Sequence, residues 1–261
     1  MAPRGRSESD RGATVLGRDD VDDVVGVLCA SFFDYPVMRF VLGSRDSYDE
    51  RLERLVRFFV MARILRREVI LGIRRADGLT AAALVSHPGA GPSPPELGRL
   101  REDTWAELGG DSRSRYEAFG AAVAPLIPRR PHLHLNMIGV RPVAQGAGLG
   151  RVLLETVHRH SASHAVSTGV TLTTEVEANV ALYRRFGYEV VGSAGVRGAF
   201  TTWAMYRPDD GGAHDGGPDD GGGDHGGPDD GGPDDRGPHD GGGVGPSVGS
   251  GDRGGIARVD A

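Results

Sequence analysis

A glycine-rich turn in the second half of the chain constrains the fold more than any other feature. Residues 145–150 are Gln-Gly-Ala-Gly-Leu-Gly, after an apolar run that ends at Arg141 and Pro142 and just before a helical pattern that starts at Arg151. Glycine lets backbone amides approach an anion closely, and the first N–H groups of a helix add donors and a positive dipole end. The pattern predicts a strand, a phosphate-binding turn and a helix.

A second patterned segment spans residues 170–190. It predicts a strand, a short helix, a stop at Gly187 and another strand. A glycine-rich loop alone is shared by several folds, so this second segment helps to decide which phosphate compound the loop binds.

Together the two segments resemble the GNAT superfamily of acyl-CoA-dependent N-acyltransferases. Residues 145–150 are similar to its pyrophosphate loop, Gln/Arg-x-x-Gly-x-Gly/Ala. From Asn179 onward, Leu-Tyr-x-x-x-Gly-Tyr is similar to a second family segment. The resemblance is specific over residues 131–208 and rests on layout before them. Ala147 replaces a residue that is commonly basic in the family, and we expect weaker coenzyme affinity at most, because backbone amides carry most of the anion binding.

The resemblance implies an α/β fold with a mixed sheet, in which the strands on either side of the loop helix splay apart. It also implies acetyl-CoA as cosubstrate, with pantetheine on the first strand and pyrophosphate on the loop. A backbone N–H within residues 138–140 would stabilise the oxyanion. Asn179 is in addition a candidate helix N-cap. The residues expected to bind the coenzyme are Met137, Ile138, Val140, Gln145, Gly146, Ala147, Gly148, Gly150, Arg151 and Asn179.

The same resemblance implies catalytic roles for Tyr183 and Glu175. Tyr183 would protonate the departing thiolate, although a tyrosine in a short helix is more commonly a packing residue. Glu175 would deprotonate the amine, and strand alternation places Glu175 and Glu177 on one face, so direction does not separate them. His134 and Asn136, on the preceding strand, are the other candidate bases, and imidazole titrates in a suitable range.

Three other interpretations stay open. A dinucleotide-binding fold would use the same kind of loop, but these glycines follow Gly-x-Gly-x-Gly, and too few alternating strands and helices surround them for a doubly wound sheet. A coenzyme sensor without catalysis, or an acetyltransferase acting on protein N-termini, would retain the same loop.

Periodicity and turn residues predict the remaining elements, whose order indicates a mixed sheet with helices on its faces. A short strand at 13–17 precedes a helix that starts at Val21 and ends before Pro36, and a second helix starts near Asp46. The other predicted elements are a hairpin of strands 68–74 and 80–86 joined through Asp77-Gly78, helices at 95–108 and 114–126, a strand at 132–140, and closing strands at 190–192 and 200–206.

Composition divides the chain into three parts. Residues 1–12 are arginine-rich and polar, and from about Arg207 the sequence cycles through Gly-Gly-Pro-Asp-Asp without aromatic residues. We therefore predict disorder for residues 1–12 and 208–261 and one acetyltransferase domain at 13–207. The net charge of −6 accompanies an aspartate-rich tail, which gives no support to nucleic-acid binding.

Further features narrow the expected setting. Cys29 is the single cysteine, which excludes an internal disulfide and a cysteine zinc cluster. His158, His160 and His164 lack a carboxylate at ligand spacing, so we expect no metal. No apolar run is long enough for a membrane span and no signal-peptide core is present, which predicts a cytoplasmic protein without membrane partners.

The resemblance implies that the acceptor is a primary amine, and the class of amine is inferred only from the order of the elements. The layout looks closest to small-molecule acetyltransferases of the antibiotic-resistance type, such as puromycin acetyltransferase. By position, Asp34, Tyr35 and the insertion at 92–126 would shape the acceptor pocket. The sequence identifies neither the amine nor the oligomeric state.

Overall fold

The computed structural model describes residues 12–43, 46–89 and 91–209 of the 261-residue chain. The segments predicted to be disordered, 1–12 and 208–261, lie outside the described residues except for Gly12, Pro208 and Asp209. Asp209 is tied to the domain, because Ser161 donates a hydrogen bond of 2.7 Å to its carboxylate and its own amide donates to the Thr168 carbonyl.

Helices and strands follow one another along the described chain in the predicted order, with one added helix. The helices are α1 (Val21–Phe32), α2 (Pro36–Leu42), α3 (Tyr48–Leu65), α4 (Pro95–Leu108), α5 (Gly110–Val123), α6 (Leu149–Ala162) and α7 (Glu177–Arg184). The strands are β1 (Thr14–Val15), β2 (Val69–Arg75), β3 (Gly78–Ser86), β4 (Leu133–Val140), β5 (Gly169–Thr174), β6 (Glu189–Val196) and β7 (Phe200–Pro208).

The strands form one mixed sheet in the order β1-β2-β3-β4-β5-β7-β6. β4 and β5 pair in parallel, and every other neighbouring pair is antiparallel. A parallel pair needs a crossover, which α6 supplies between β4 and β5. The predicted mixed sheet with helices on its faces is confirmed.

Helices cover both faces of the sheet. The α1 face carries an apolar cluster built mainly from α1 to α5, in which Val24, Leu28 and Phe32 are fully buried. The α6 face carries a second cluster, in which Leu153 and Leu154 pack with apolar residues of β4 and β5. Each fully buried side chain of this size contributes roughly 1.5–3 kcal/mol. The two clusters hold the central strands rigidly between them.

Proline accounts for the helix that the sequence analysis missed. Pro36 was taken only as the end of α1, because proline disfavours helix in the residue before it. Proline is also well tolerated at the first position of a helix, where no backbone N–H is needed, and α2 begins at Pro36. Helix α1 therefore ends and α2 begins around a short connection, residues 33–35, that projects Tyr35 into the protein.

The two parallel strands β4 and β5 diverge along their length, on the way to the glycine-rich turn. β4 pairs with β5 only at Leu133↔Val170 and His134↔Thr171, although β4 continues to Val140. Next to this point, Leu84 pairs with Met137 while Val85 pairs with Leu135. Asn136 is therefore an extra residue in β4, a β-bulge, and bulges bend and twist a strand. The edge of β4 turned towards β5 beyond His134 is thereby opened.

Among the described residues, no single helix combines the length and apolar character of a membrane span. The segments Arg18–Phe32 and Pro36–Leu42, bent by 100° relative to each other, pass that test only as a pair.

Candidate active site

The turn at residues 145–150, called the glycine loop below, has the backbone shape that its sequence predicts. Gly146 and Gly148 have φ values of +76° and +74°, a conformation that favours glycine. A Cβ atom at either position would meet no atom within 4 Å. Gly148 is the N-cap of α6, and the first-turn amides of this helix face the loop. These features are those expected of an anion-binding turn.

The remaining predicted residues of the loop occupy different environments. The Gln145 side chain donates to the Val140 carbonyl at 3.4 Å and so ties the loop to the end of β4. Ala147 is exposed, whereas Gly150 is buried within α6. Arg151 pairs with Glu155 at 2.7 Å, and with 71% of its side chain exposed it can leave that weak pair for a phosphate at little cost.

The coenzyme residues predicted on β4 have buried side chains. Met137 packs on the α1 face, whereas Ile138 and Val140 pack on the α6 face. Their side chains fix the strand between the two cores, and what they can offer a ligand is the backbone of the open edge. Strand addition to such an edge supplies main-chain hydrogen bonds.

Glu175 lies at the turn between β5 and α7, and it is 6% exposed. Thr202 of β7 donates a hydrogen bond of 2.7 Å to Oε1, and Oε2 is buried without a hydrogen-bond partner in the described part of the chain. Burial raises the pKa of Glu175 to about 8, while the hydroxyls of Thr202 and Tyr35 act in the opposite direction. A carboxyl group of this kind exchanges its proton near neutral pH.

Tyr35 is the partner of Glu175 that the sequence analysis did not identify as such. It was proposed only to shape a pocket, yet its hydroxyl lies 3.1 Å from Thr174 Oγ1 and accepts a hydrogen bond of 3.2 Å from the Glu175 amide. Its side chain is 1% exposed. Nothing in the local sequence of residues 33–36 signals a partner on β5, because the contact joins residues 140 positions apart.

The structure separates Glu175 from Glu177, which the sequence analysis could not do. β5 ends at Thr174 and α7 begins at Glu177, so strand alternation does not extend across both residues and that expectation was wrong. Glu175 turns into the protein, whereas Glu177 is exposed in the first turn of α7.

The expected N-cap role of Asn179 is also wrong. The N-cap of α7 is Val176, and Asn179 lies within the first turn of the helix. Its side chain is largely buried, and its amide nitrogen lies 3.4 Å from Thr174 Oγ1. Thr174 therefore joins Asn179 and Tyr35 in the group that surrounds Glu175.

Tyr183 lies on α7, on the other side of the sheet from the partners of Glu175. It is fully buried in the apolar cluster of the α6 face. Its ring packs edge-on against Tyr188, with 5.6 Å between the ring centroids, and the Tyr188 hydroxyl lies 3.0 Å from His158 Nε2. Glu175 and Tyr183 thus belong to the same β5–α7 unit and face opposite sides of it.

The two alternative bases on β4 are engaged in other contacts. His134 Nδ1 lies 2.8 Å from Thr171 Oγ1, at the last paired position of β4 and β5. Asn136 Oδ1 accepts hydrogen bonds from Arg63 at 2.6 Å and from Ser86 at 2.7 Å. Arg63 in turn forms a buried ion pair with Glu68. The Asn136 amide holds the bulge in place, and an amide is no base at neutral pH.

Histidines gather at the end of α6. His160 Nε2 lies 3.1 Å from Nε2 of His87, a residue that follows β3 and that the sequence analysis did not associate with it. The rings of His87 and His164 are 5.2 Å apart. Within residues 12–43, 46–89 and 91–209, no group of three or more histidine, cysteine or acidic side chains is arranged to hold a metal ion.

Comparison with known proteins now adds to this geometry. Residues 116–206 match the family model of the acetyltransferase (GNAT) domain. This part of the chain is therefore similar to a GNAT acetyltransferase domain. The matched residues contain the strand β4, the glycine loop and the β5–α7 turn.

Solved structures share the fold of the GNAT domain and of the strands before it. A histone acetyltransferase HPA2 and related acetyltransferase from Corynebacterium glutamicum is 20% identical with a TM-score of 0.56, over 77% of this chain and 98% of that one. A polyamine N-acetyltransferase from Drosophila melanogaster is 14% identical with a TM-score of 0.50, over 75% and 99% of the two chains. At these identities the similarity concerns the fold.

Proposed function

We propose that the protein transfers an acetyl group from acetyl-CoA to a primary amine of a small molecule. The observation that carries this proposal is the state of Glu175, a buried carboxyl beside the divergence of β4 and β5. One of its oxygens is held by Thr202 and the other has no partner in the described chain. An amine that enters beside it would supply the missing donor.

The pKa of Glu175 suits this task. An alkyl amine such as a lysine side chain has a pKa near 10.4 and is protonated at neutral pH, so it must lose a proton before its nitrogen can attack. Burial raises the pKa of Glu175 to about 8, so that its pKa is closer to that of the amine than the pKa of an ordinary carboxylate is. Glu175 would take the proton directly or through a water molecule and release it to solvent afterwards.

The glycine loop and the open edge of β4 are the proposed coenzyme site. The amides of Gly146, Gly148 and the first turn of α6 would hold the pyrophosphate, aided by Arg151. The edge of β4 from Met137 to Val140 would pair with pantetheine. When bound, acetyl-CoA supplies the acetyl group as a thioester, so that the amine nitrogen bonds to the carbonyl carbon while the carbon–sulfur bond breaks.

Two groups of the protein would handle the charges of this exchange. A backbone N–H within residues 138–140 would donate to the carbonyl oxygen as negative charge develops there. Tyr183 would give its hydroxyl proton to the departing sulfur and regain one as the new amide nitrogen loses its own. Asn179 would hold the start of α7 in place through Thr174.

Aromatic contacts beside the site support a compact acceptor. Phe200, two residues before Thr202, packs against Phe40 of α2 with 5.4 Å between ring centroids and against Phe119 of α5 with 6.4 Å. These contacts join α2, α5 and β7 on the side where Tyr35 and Thr202 approach Glu175. A small-molecule amine, as in the antibiotic-resistance type of acetyltransferase, suits this closed arrangement better than an extended peptide.

The test is a screen for coenzyme A release from acetyl-CoA with a panel of primary amines. We expect steady release with at least one small amine, and much slower release from the Glu175→Gln variant with that amine. Coenzyme binding without release for every small amine and for N-terminal peptides would contradict the proposal and favour a coenzyme sensor. Release only with peptides would move the acceptor to protein N-termini.

A further inference from the structure

We propose that Tyr35 is a positioning residue for Glu175, and that through it the α1–α2 connection sets when Glu175 acts as a base. The inference rests on the proposed function of Glu175 and goes beyond it, because it adds a residue from the other half of the chain. The two residues come from different elements, and their hydroxyl-to-backbone contact is what joins these elements.

The hydroxyl of Tyr35 contacts both the backbone and a side chain of the β5–α7 turn. It accepts a hydrogen bond of 3.2 Å from the Glu175 amide and lies 3.1 Å from Thr174 Oγ1. A phenol has one proton and two lone pairs, so it can accept from this amide and still donate its proton. It also acts on the Glu175 carboxyl, whose pKa it lowers. One oxygen atom therefore fixes the backbone of the turn and favours the ionised side chain that the turn carries.

The α1–α2 connection holds Tyr35 firmly enough for this role. The rings of Phe32 and Tyr35 meet edge-on at 5.1 Å, and the Tyr48 hydroxyl donates 2.8 Å to the Phe33 carbonyl. Arg39 lies over the Phe33 and Tyr48 rings, at 4.8 and 3.9 Å from their centroids. These contacts fix the residues on both sides of Tyr35 and so help to hold its hydroxyl near Glu175.

Thr202 performs a different part of the work. From β7, Thr202 donates a hydrogen bond of 2.7 Å to Glu175 Oε1. The acceptor for the Glu175 amide is Tyr35. Loss of Thr202 would remove one partner of the carboxylate. Loss of the Tyr35 hydroxyl would in addition leave a buried N–H without its acceptor, which favours a rotated turn. Tyr35 is therefore the residue that couples the position of Glu175 to its protonation.

The first experiment compares the pH profiles of kcat/KM for Tyr35→Phe and for the control Tyr206→Phe, with the best amine found. Tyr206 is also a largely buried tyrosine, but its hydroxyl bonds to Thr168 at the far end of β5. We expect Tyr35→Phe to shift the acid limb upward by about one pH unit, since a hydrogen bond to the charged form favours that form. Turnover at pH 7 then falls roughly tenfold and recovers in alkali.

The outcomes of this experiment are distinct. An unchanged acid limb with an equal loss of kcat/KM at every pH would mean that Tyr35 only supports the fold, and it would overturn the proposal. An equal shift in Tyr206→Phe would do so as well. If Tyr35→Phe does not fold, Thr174→Val removes a hydroxyl partner of Tyr35 instead, and the limb should move in the same direction.

The second experiment does not depend on activity. The raised pKa of Glu175 makes the wild-type protein lose stability as pH rises from the unfolded value through about 8, and Glu175→Gln should abolish that loss. Tyr35→Phe should extend the loss to higher pH, whereas a curve parallel to wild type would overturn the proposal. A shifted curve together with no acetylation of any amine would uphold the coupling and refute the proposed function instead.

Discussion

The glycine loop and the β5–α7 turn are two halves of one candidate site, and they are built in different ways. The glycine loop uses backbone amides whose positions follow from neighbouring residues, with φ of +76° at Gly146 and +74° at Gly148. Glu175 acquires its raised pKa from burial, and its hydrogen-bond partners Tyr35 and Thr202 lie in distant parts of the sequence. A site made of backbone amides can be recognised from a short stretch of sequence. A side chain whose pKa is shifted by burial can be recognised only in the completed fold.

The largest effect should come from a direct test of the glycine loop. Gly148→Glu places a side chain and a negative charge where the coenzyme phosphates would lie, and we expect binding of acetyl-CoA to be abolished in calorimetry. The matched control is Gly198→Glu, because Gly198 has φ of +71° and equally open surroundings but lies in the β6–β7 turn. Both variants should lose roughly 1 kcal/mol from backbone strain, and circular dichroism should show that both fold.

Equal acetyl-CoA affinity in Gly148→Glu and Gly198→Glu would show that the loop does not hold the coenzyme. The glycine loop, which the sequence predicted as the phosphate-binding turn, would then have no known ligand, and its contrast with the β5–α7 turn would no longer hold.

Tyr183 tests whether a fully buried residue on the α6 face takes part in the reaction. Tyr183→Phe keeps the ring that packs on Tyr188 and removes the only proton it could donate. Turnover should fall roughly 10²- to 10⁴-fold, the scale expected for loss of a general acid, while coenzyme affinity barely changes. Full turnover with the best amine would reduce Tyr183 to a packing residue and leave Glu175 as the one side chain with a proton role.

Glu175 and Glu177 offer a comparison within the β5–α7 turn itself. Glu175→Gln should slow turnover at pH 7 by roughly 10²-fold, and the deficit should shrink at high pH, where the amine loses its proton without a base. Glu177→Gln, in the exposed first turn of α7, should leave the rate nearly unchanged. Similar losses in both variants, measured as kcat/KM between pH 6 and 10, would refute the assignment of the base by burial.

The smallest effect concerns His87 and His160, whose effect on stability between pH 5 and 7 is opposite in sign to that of Glu175. Burial and the neighbouring imidazoles lower the pKa of His87, and burial and His164 lower that of His160. The unfolded chain then binds protons more readily, so stability is present above pH 6.5 and is lost as pH falls. His87→Asn should weaken the acid-induced drop in Tm between pH 7 and 5, and an unaltered drop would contradict this coupling.

The sequence predicted the elements that are determined by residues close to one another in the chain. Asp77-Gly78 was expected to join a hairpin, and Gly78 has φ of +112° between β2 and β3. The periodicity of residues 21–32 predicted α1 with its start at Val21, and the helix ends at Phe32, slightly before the predicted stop at Pro36. β6 was predicted only at residues 190–192, whereas the strand extends to Val196 through its pairing with β7.

The errors at the site have a common cause. Asn179 has the side chain of an N-cap and was assigned as one, but the helix begins earlier, because the Glu175 backbone is fixed by Tyr35 and the chain turns at Val176. Glu175 and Glu177 look alike in sequence, and only the end of β5 separates a buried carboxyl from an exposed one. Tyr35 could be placed near the pocket, but its partner could not be found from spacing.

Between His134 and Val140, Asn136 is the residue of β4 that has no counterpart on β3. Leu135 and Ile138 both face α6 although they are three positions apart, because Asn136 adds a residue without exchanging the faces of its neighbours. Length, rather than hydrophobicity, is therefore the property of β4 to which the site is most sensitive. A chain that lacked Asn136 would keep every apolar residue on its own side, yet β4 would be straighter and could pair with β5 beyond His134, which would close the edge proposed to bind the coenzyme.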